Sequence, residues 1–366
     1  MLFLLTNNFN TRIVNAINTN FLYSLAFKHM KHSFHHFFTI SLIVITISAC
    51  APQKIRVKAL EPAEITTVAK LKRVAVLEFK NDSVGIGGKI ESTINNKRFN
   101  GKPYFTLVSR ANIDNVLKEQ KMSGLLDESS TVELGKLIGA QALIAGEVTG
   151  AEADDQPYTR SRIKCVYFRN KKCVRWANYN VNCTKRIISL NANIRVVDIT
   201  KGSIIFTKSF NRQNEFSKCS DSYGSLPGKN SSLNTMARNI ANAFVYKLTP
   251  NYTSFDVVLL EKPFIKYTSK QEKLLESGLA FIKANNLPRA QSILENLQQS
   301  TGGKSLVSAY NLGTVHEALG NYNEAKVYYL FADKLQTKPV AEVSVALNRI
   351  KSIIKKHQAA TQQLQR

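Results

Sequence analysis

The chain has 366 residues, of which 44% are hydrophobic, and a formal net charge of +24. This composition excludes a wholly disordered or fibrous chain, and the length suits one mid-sized domain followed by a smaller one. The positive charge indicates either a solvated basic surface or an anionic partner, such as nucleic acid, lipid or the cell wall.

An uncharged apolar run ends at a cysteine near the N-terminus. It covers residues 37–49, and its 13 residues are fewer than the roughly 20 that a membrane-spanning helix needs. Lys31 and three histidines lie near its start, as in the basic region of a secretory signal peptide. The letters "ISAC" at residues 47–50 resemble the bacterial lipobox, whose cysteine becomes the lipid-modified N-terminus.

We therefore predict a signal peptide over residues 1–49, with cleavage between Ala49 and Cys50 and a translation start at Met30. We expect Cys50 to carry more than one acyl chain, palmitate among them. Two or more acyl chains hold a protein stably on a membrane, so this lipid would be a lasting anchor. Ala51 follows the cysteine where retention in the inner membrane would use Asp. By resemblance to Gram-negative lipoproteins, this indicates the periplasmic face of the outer membrane.

Four further cysteines lie within 55 residues of one another, which are Cys165, Cys173, Cys183 and Cys219. They form no C-x-x-C motif, and no histidine occurs between residues 51 and 315, so we expect neither a metal site nor a cofactor. Two disulfides formed in an oxidising periplasm are the prediction, and free buried thiols are the alternative. The spacing leaves all three connectivities open.

The segment of residues 50–70 is predicted to be a lipidated tether, and residues 71–260 an α/β domain. Residues 72–81, "KRVAVLEFKN", have the apolar pattern of a buried strand. The glycine-rich loop at residues 85–88 lacks the third glycine of a dinucleotide site and the Ser or Thr of a P-loop, so it predicts only a helix start. Residues 103–110, "PYFTLVSR", predict a second strand.

Two helices and four further elements complete this domain. The letters "ANIDNVLKEQ" at 111–120 have helical spacing, and a capping box from Ser130 to Glu133 opens a helix that ends at Gly139. Residues 141–150, 188–196 and 203–210 are predicted strands, the last two joined in a hairpin, and residues 233–248 a helix. Interleaved helices and strands followed by gathered strands indicate an α+β fold, built as a compact α/β sandwich.

Residues 104–150 resemble the core of the CsgG family, named for the curli secretion channel. The resemblance lies in an aromatic-led strand ending in Arg, an "LKEQ" helix, an "SGLLD" turn and a "GKLIGA" helix that leads into a strand. Residues 194–210 resemble the next hairpin of the family, and with "VAVLEF" the likeness spans about residues 70–250. It implies an outer-membrane lipoprotein with an α/β periplasmic domain.

A cysteine-rich hairpin insertion is predicted over residues 159–219. Residues 159–186 carry nine Lys or Arg and no acid, with charges on both strand faces. Because each costs about 2–4 kcal/mol at the bilayer midplane, we expect this segment to stay in water. The main expectation here is a solvated, disulfide-stapled hairpin, and contacts with lipopolysaccharide or the cell wall are the alternative. Nucleic acid is not expected for an exported protein. The candidate contacts are Arg169, Lys171, Lys172 and Arg175.

Residues 268–358 are predicted to form a small all-α module. Gly278 and Gly313 are 35 residues apart, as are Ala290 and Ala325, close to the tetratricopeptide period of about 34 residues. The segment resembles two such repeats with a capping helix over residues 340–357. That resemblance implies docking of a peptide or partner helix, and a plain helical hairpin is the alternative.

Catalysis is not expected, because the main domain lacks a histidine that could serve as base to a nucleophile. The sequence predicts a lipoprotein of the CsgG family that acts, through protein contacts in the periplasm, in envelope assembly or in secretion of curli-type fibre subunits. The alternative is an LpoB-like regulator of peptidoglycan synthesis, that is, an activator of penicillin-binding proteins. A channel would form a homo-oligomeric ring, whereas a regulator can be a monomer.

Overall fold

The computed structural model describes residues 52–109, 133 and 135–365. The predicted signal peptide, its cleavage at Ala49 and Cys50, the helix at 111–120 and the start of the capping box lie outside the described residues. The described elements in chain order are β1 (Lys54–Glu61), α1 (Thr66–Lys70), β2 (Arg73–Val76), α2 (Ile86–Asn96), β3 (Arg98–Phe99), β4 (Lys102–Pro103), β5 (Thr106–Leu107), β6 (Ala142–Arg169), β7 (Lys172–Asp198), β8 (Ser203–Cys219), α3 (Lys229–Leu248), β9 (Asn251–Val258), α4 (Ser269–Lys283), α5 (Leu287–Ser300), α6 (Leu306–Leu319), α7 (Tyr322–Lys334) and α8 (Ala341–Leu364).

A mixed sheet of five strands is the centre of the α/β part. Its order is β5-β2-β6-β7-β8, in which β2 runs parallel to β5 and β6, while β6, β7 and β8 run antiparallel. Successive side chains of a strand point to opposite faces, so Ile144 packs with α2 and α3 on one face and Leu143 in a smaller cluster on the other. The predicted α+β class is confirmed.

β6 and β7, the strands that contain the predicted hairpin insertion, are much longer than their apolar pattern indicated. β6 and β7 pair without interruption by another element from Ala142↔Asp198 to Arg169↔Lys172. The predicted insertion is therefore a continuation of the sheet strands. The predicted strand at residues 103–110 is strand only at Thr106–Leu107. Gly139 has a φ of 66°, as the predicted left-handed cap requires.

Most of the segment predicted as a tether is folded. Instead of an extended linker, β1 pairs antiparallel with β9 over eight residues, from Lys54↔Val258 to Glu61↔Asn251. The letters "KIRVKALE" alternate polar and apolar residues, and Ile55 and Val57 are buried. This period of two was the sequence signal for a strand.

Five helices follow β9, with α8 extending to Leu364 rather than to the predicted residue 357. They share one hydrophobic core with β1 and β9, so this core includes residues on both sides of the predicted boundary at 260–268. Gly278 and Gly313 lie where helices approach closely, since a Cβ on Gly313 would stand 2.7 Å from the Tyr329 ring. Glycine at these two positions therefore lets paired helices pack closely.

Candidate interaction site on the long hairpin

The outer part of the β6–β7 hairpin extends beyond the rest of the sheet. β8 ends at Cys219, opposite Cys183, and residues 159–182 continue as a two-stranded ribbon that we call the arm. At about 3.3 Å per residue, the arm reaches roughly 40 Å past the end of β8. Its length places the candidate contact residues far from the core.

A two-residue turn closes the arm. Asn170 and Lys171 both have positive φ, 52° and 62°. This is the backbone of a type I′ turn, which matches the right-handed twist of a hairpin. Asn tolerates this conformation well, whereas Lys does so at some cost.

Two disulfides hold the hairpin, and each joins cysteines on neighbouring strands. Cys183 pairs with Cys219, its directly opposite neighbour, and both are buried beside Val181. Cys165 pairs with Cys173 near the turn. The predicted pair of disulfides is therefore present, and one of the three connectivities that the spacing allowed is selected.

The turn brings the four predicted contact residues together. Each of Arg169, Lys171, Lys172 and Arg175 is exposed, and all four lie within seven residues at the end of the arm. Arg169 and Lys172 are directly opposite each other across the strands. Like charges directly opposite each other destabilise a hairpin, so this pair reduces the stability of the turn region.

Large apolar side chains are exposed around these charges. Phe168 is 63% exposed and Trp176 61%, and Tyr167, Val174 and Ile163 are more than half exposed as well. Tyr179 lies nearer the base of the arm, where it packs against the Cys183–Cys219 cluster and donates to Asp221 at 3.4 Å.

Acidic side chains near the arm are paired at its base. Arg186 donates to both oxygens of Asp155, each at 2.7 Å, and also to the carbonyl of Pro227 at 2.6 Å. The hydrogen bond from Arg186 lowers the pKa of Asp155 to about 2. Arg162 forms an ion pair with Asp221 at 2.7 Å. These contacts fasten the loop after β8 to the base of the arm.

The glycine-rich loop before α2 is hydrogen-bonded to a side-chain carboxylate of the same chain. The carboxylate of Asp82 accepts from the backbone N–H of Ile86 at 2.8 Å and of Gly87 at 2.9 Å. These are the amides that would otherwise face a phosphate. The prediction of a helix start is confirmed by the bounds of α2.

A second polar cluster lies inside the helical part. Glu317 is fully buried and accepts from Arg349 at 2.7 and 2.8 Å and from the Tyr329 hydroxyl at 2.5 Å. Burial raises the pKa of Tyr329 far above its usual value, and the neighbouring charge of Glu317 raises it further. The cluster joins α6, α7 and α8 and has the geometry of a structural ion pair.

Over residues 52–109, 133 and 135–365, no three His, Cys, Asp or Glu residues lie close enough to hold a metal ion. No helix in these ranges is long and apolar enough to cross a membrane.

The α/β part matches a known family. Residues 63–226 match the family model "Curli production assembly/transport component CsgG". The match covers a little under half of the chain and includes the sheet, α2 and the whole arm. The resemblance to the CsgG family drawn from residues 104–150 is thereby confirmed for this part of the chain. No protein among the curated sequences matches.

Several solved structures resemble part of the chain at low identity. The LpoB C-terminal domain from Salmonella enterica is 14% identical, with 42% of this chain and 96% of that one covered and a TM-score of 0.25. Lipoprotein GNA1162 from Neisseria meningitidis is 15% identical, with 47% and 97% covered and a TM-score of 0.26. The PelC dodecamer from Paraburkholderia phytofirmans is 12% identical, with 52% and 96% covered and a TM-score of 0.24. At these TM-scores the likeness carries no information about function.

Proposed function

We propose that this chain is a cell-envelope lipoprotein with a CsgG-type domain, anchored by lipid on Cys50 to the periplasmic face of the outer membrane. Its role is envelope assembly or the secretion of curli-type fibre subunits, carried out through protein contacts and without catalysis. The observation that carries the proposal is the family match over residues 63–226.

Two features of the chain support export and anchoring. Cys165–Cys173 and Cys183–Cys219 are disulfides, which persist in the periplasm and are rare in the cytosol. The lipobox-like letters end at Cys50, four residues before β1 begins. Since four residues span at most about 14 Å, a lipidated Cys50 would hold β1 close to the membrane.

Labelling with a palmitate analogue tests the anchor. We expect label on the wild-type protein and none on Cys50→Ser, with Cys165→Ser/Cys173→Ser as a control that removes thiols elsewhere. Recovery of the labelled protein with outer-membrane marker proteins would support the location. Equal labelling of wild type and Cys50→Ser would show that Cys50 is not the lipidated residue.

The mass of the lipidated protein in mild detergent tests the role. A ring of many subunits, measured by light scattering and imaged by negative stain, would support secretion. A monomer that stimulates a penicillin-binding protein in a peptidoglycan synthesis assay would overturn that role in favour of the regulator. Loss of fibre assembly on deletion of the gene, restored by the wild-type gene, is the matching test in cells.

The basic tip is proposed as the contact with anionic envelope material, through Arg169, Lys171, Lys172 and Arg175. The helical part is proposed as a tetratricopeptide-like module that docks a protein partner. Pull-down from periplasmic extract with the full chain, compared with variants of each surface, would assign partners to one or the other.

A further inference from the structure

We propose that the tip of the arm, residues 163–176, binds the headgroup layer of an anionic lipid bilayer. The basic side chains would contact phosphates while the aromatic side chains enter between the headgroups. The inference rests on the proposed location in the envelope and names the chemistry of the anionic contact.

Charge is the first argument. Residues 159–182 contain seven Lys or Arg and no acid. An anionic membrane attracts each basic residue near its surface, and the attraction falls off within a Debye length. A surface rich in phosphate would also relieve the repulsion between Arg169 and Lys172, which the strand register sets opposite each other.

The distribution of apolar side chains is the second argument. Along β7, side chains alternate between the two faces of the ribbon, so Trp176 lies on one face and Arg175, paired with Tyr167, on the other. Exposed apolar side chains therefore occur on both faces. A protein partner covers one face of such a ribbon, whereas a headgroup layer surrounds the tip. Trp, Tyr and basic side chains are also the residues that prefer the interface of a bilayer.

The open edges of the arm limit how deeply it can enter. In the described ranges, no strand pairs with the arm beyond the end of β8, apart from β6 and β7 with each other. Backbone groups on these edges would be left without hydrogen-bond partners in hydrocarbon, while water and headgroups satisfy them. The tip is therefore suited to the headgroup layer and not to the hydrocarbon core.

The disulfide Cys165–Cys173 gives the tip a fixed shape before binding. It closes the ribbon across the turn, next to Phe168 and Arg175. A preformed tip loses less conformational entropy on contact with a surface. The cross-link also keeps aromatic and basic side chains on adjacent strands together.

Intrinsic fluorescence can test the inference directly, because Trp176 is the single tryptophan of the chain and lies in the tip. The experiment uses the full chain with Cys50→Ser, so that no lipid on Cys50 contributes. With vesicles of phosphatidylethanolamine and phosphatidylglycerol, we expect a blue shift of the emission and quenching by lipids brominated near the headgroup. High salt reverses both. Vesicles of phosphatidylcholine alone give neither.

Two variants separate charge from insertion. Replacing Arg169, Lys171, Lys172 and Arg175 by Gln is expected to weaken vesicle binding by about 100-fold or more, since each basic residue contributes about a factor of five. The matched control replaces four exposed lysines of the helical part by Gln and leaves binding within about threefold. The control lysines are Lys270, Lys273, Lys351 and Lys355. Changing Tyr167 and Phe168 to Ser keeps the charge and is expected to remove most of the blue shift.

Several results would overturn the inference. Equal shifts on neutral and anionic vesicles would show apolar adsorption, and a shift with peptidoglycan sacculi or an acidic protein but not with vesicles would show a different partner. An unresponsive Trp176 in a protein that palmitate labels at Cys50 in cells would reject the tip contact and leave the anchor intact. A responsive Trp176 in a protein whose Cys50 is not labelled would support the tip contact and reject the lipid anchor.

Discussion

The arm and the helical part are stabilised in opposite ways. The arm buries little beyond the cluster around Cys183 and is held by two cross-links and by ion pairs at its base. The helical part buries α6 on nearly all sides and encloses Glu317 with Arg349 in its interior. The exposed arm is fixed covalently, whereas the helices are fixed by packing against one another.

We expect the largest effect on the free energy of unfolding from Glu317→Gln, in the helical part. The substitution leaves the Arg349 guanidinium without a carboxylate inside the core, so we expect a loss of about 3–5 kcal/mol in the free energy of unfolding, measured with urea. Asp256→Asn is the matched control, because the Arg56–Asp256 pair is exposed and its loss should cost less than about 1 kcal/mol. Equal effects of the two variants would show that burial does not set the strength of these pairs.

Removing the disulfides tests the other region. In the chain-entropy picture, Cys183→Ser/Cys219→Ser removes a cross-link over a separation of 36 residues and Cys165→Ser/Cys173→Ser one over 8. These cost about 4 and about 2.5 kcal/mol respectively. We expect faster amide hydrogen exchange at the end of β8 in the first variant and only near the turn in the second. A rise in exchange throughout the helical part would contradict the independence of the two regions.

His316 gives the helical part a pH dependence at mildly acidic pH. Burial lowers its pKa from 6.5, against the opposing effect of Glu295 and Glu324, and its ring stacks on Tyr328 with neither nitrogen hydrogen-bonded. The folded state therefore binds fewer protons than the unfolded state, so stability is complete above about pH 6.5 and decreases as the pH falls.

The slope should not exceed about 1.4 kcal/mol per pH unit for this one group. Urea midpoints between pH 5 and 7 measure it, and His316→Phe should flatten the curve because it removes the titrating group while keeping the ring. His357→Gln is the control. An unchanged slope in His316→Phe would assign the dependence to another group.

The smallest expected effect concerns the turn of the arm. Lys171→Gly removes a side chain from a residue with a φ of 62°, which should stabilise the turn by about 0.5–1 kcal/mol. Slower hydrogen exchange of the amides beside the turn would report it. Lys172→Gly, in the adjoining strand, is the control and should destabilise the turn. If both variants behave alike, the left-handed backbone at Lys171 carries no strain.

Much of the fold followed from short-range patterns. Alternation over residues 188–196 predicted β7, and a helical stripe predicted α3 and its end before Pro250, because these periods report which face is buried. The strand β1 was missed, although "KIRVKALE" alternates, because its partner β9 lies about 200 residues away and a proline-containing segment near the predicted anchor suggested a linker.

The candidate site was predicted in part. The basic residues, the aromatic residues and the presence of disulfides are local features of sequence. The extent of the arm was not, because its polar residues give no burial pattern, and the strands continue there through backbone pairing alone. The role of Glu317 was not predicted either, because a carboxylate on a helix is usually exposed. Its burial depends on the ion pair with Arg349, which approaches from α8.

By itself, the sequence determined the class of fold, the resemblance to the CsgG family, the helical character of the C-terminal part and the concentration of positive charge between the cysteines. These depend on residue type and on periods of two to four residues. The tertiary structure alone decided which cysteines pair, that β1 joins β9 under the helices, and that the basic and aromatic side chains meet at the end of a ribbon. The pairing of β1 with β9 and of Cys183 with Cys219 depends on register between segments that are distant in the chain, and the arrangement of the tip depends on where the turn falls between β6 and β7. No local pattern encodes either.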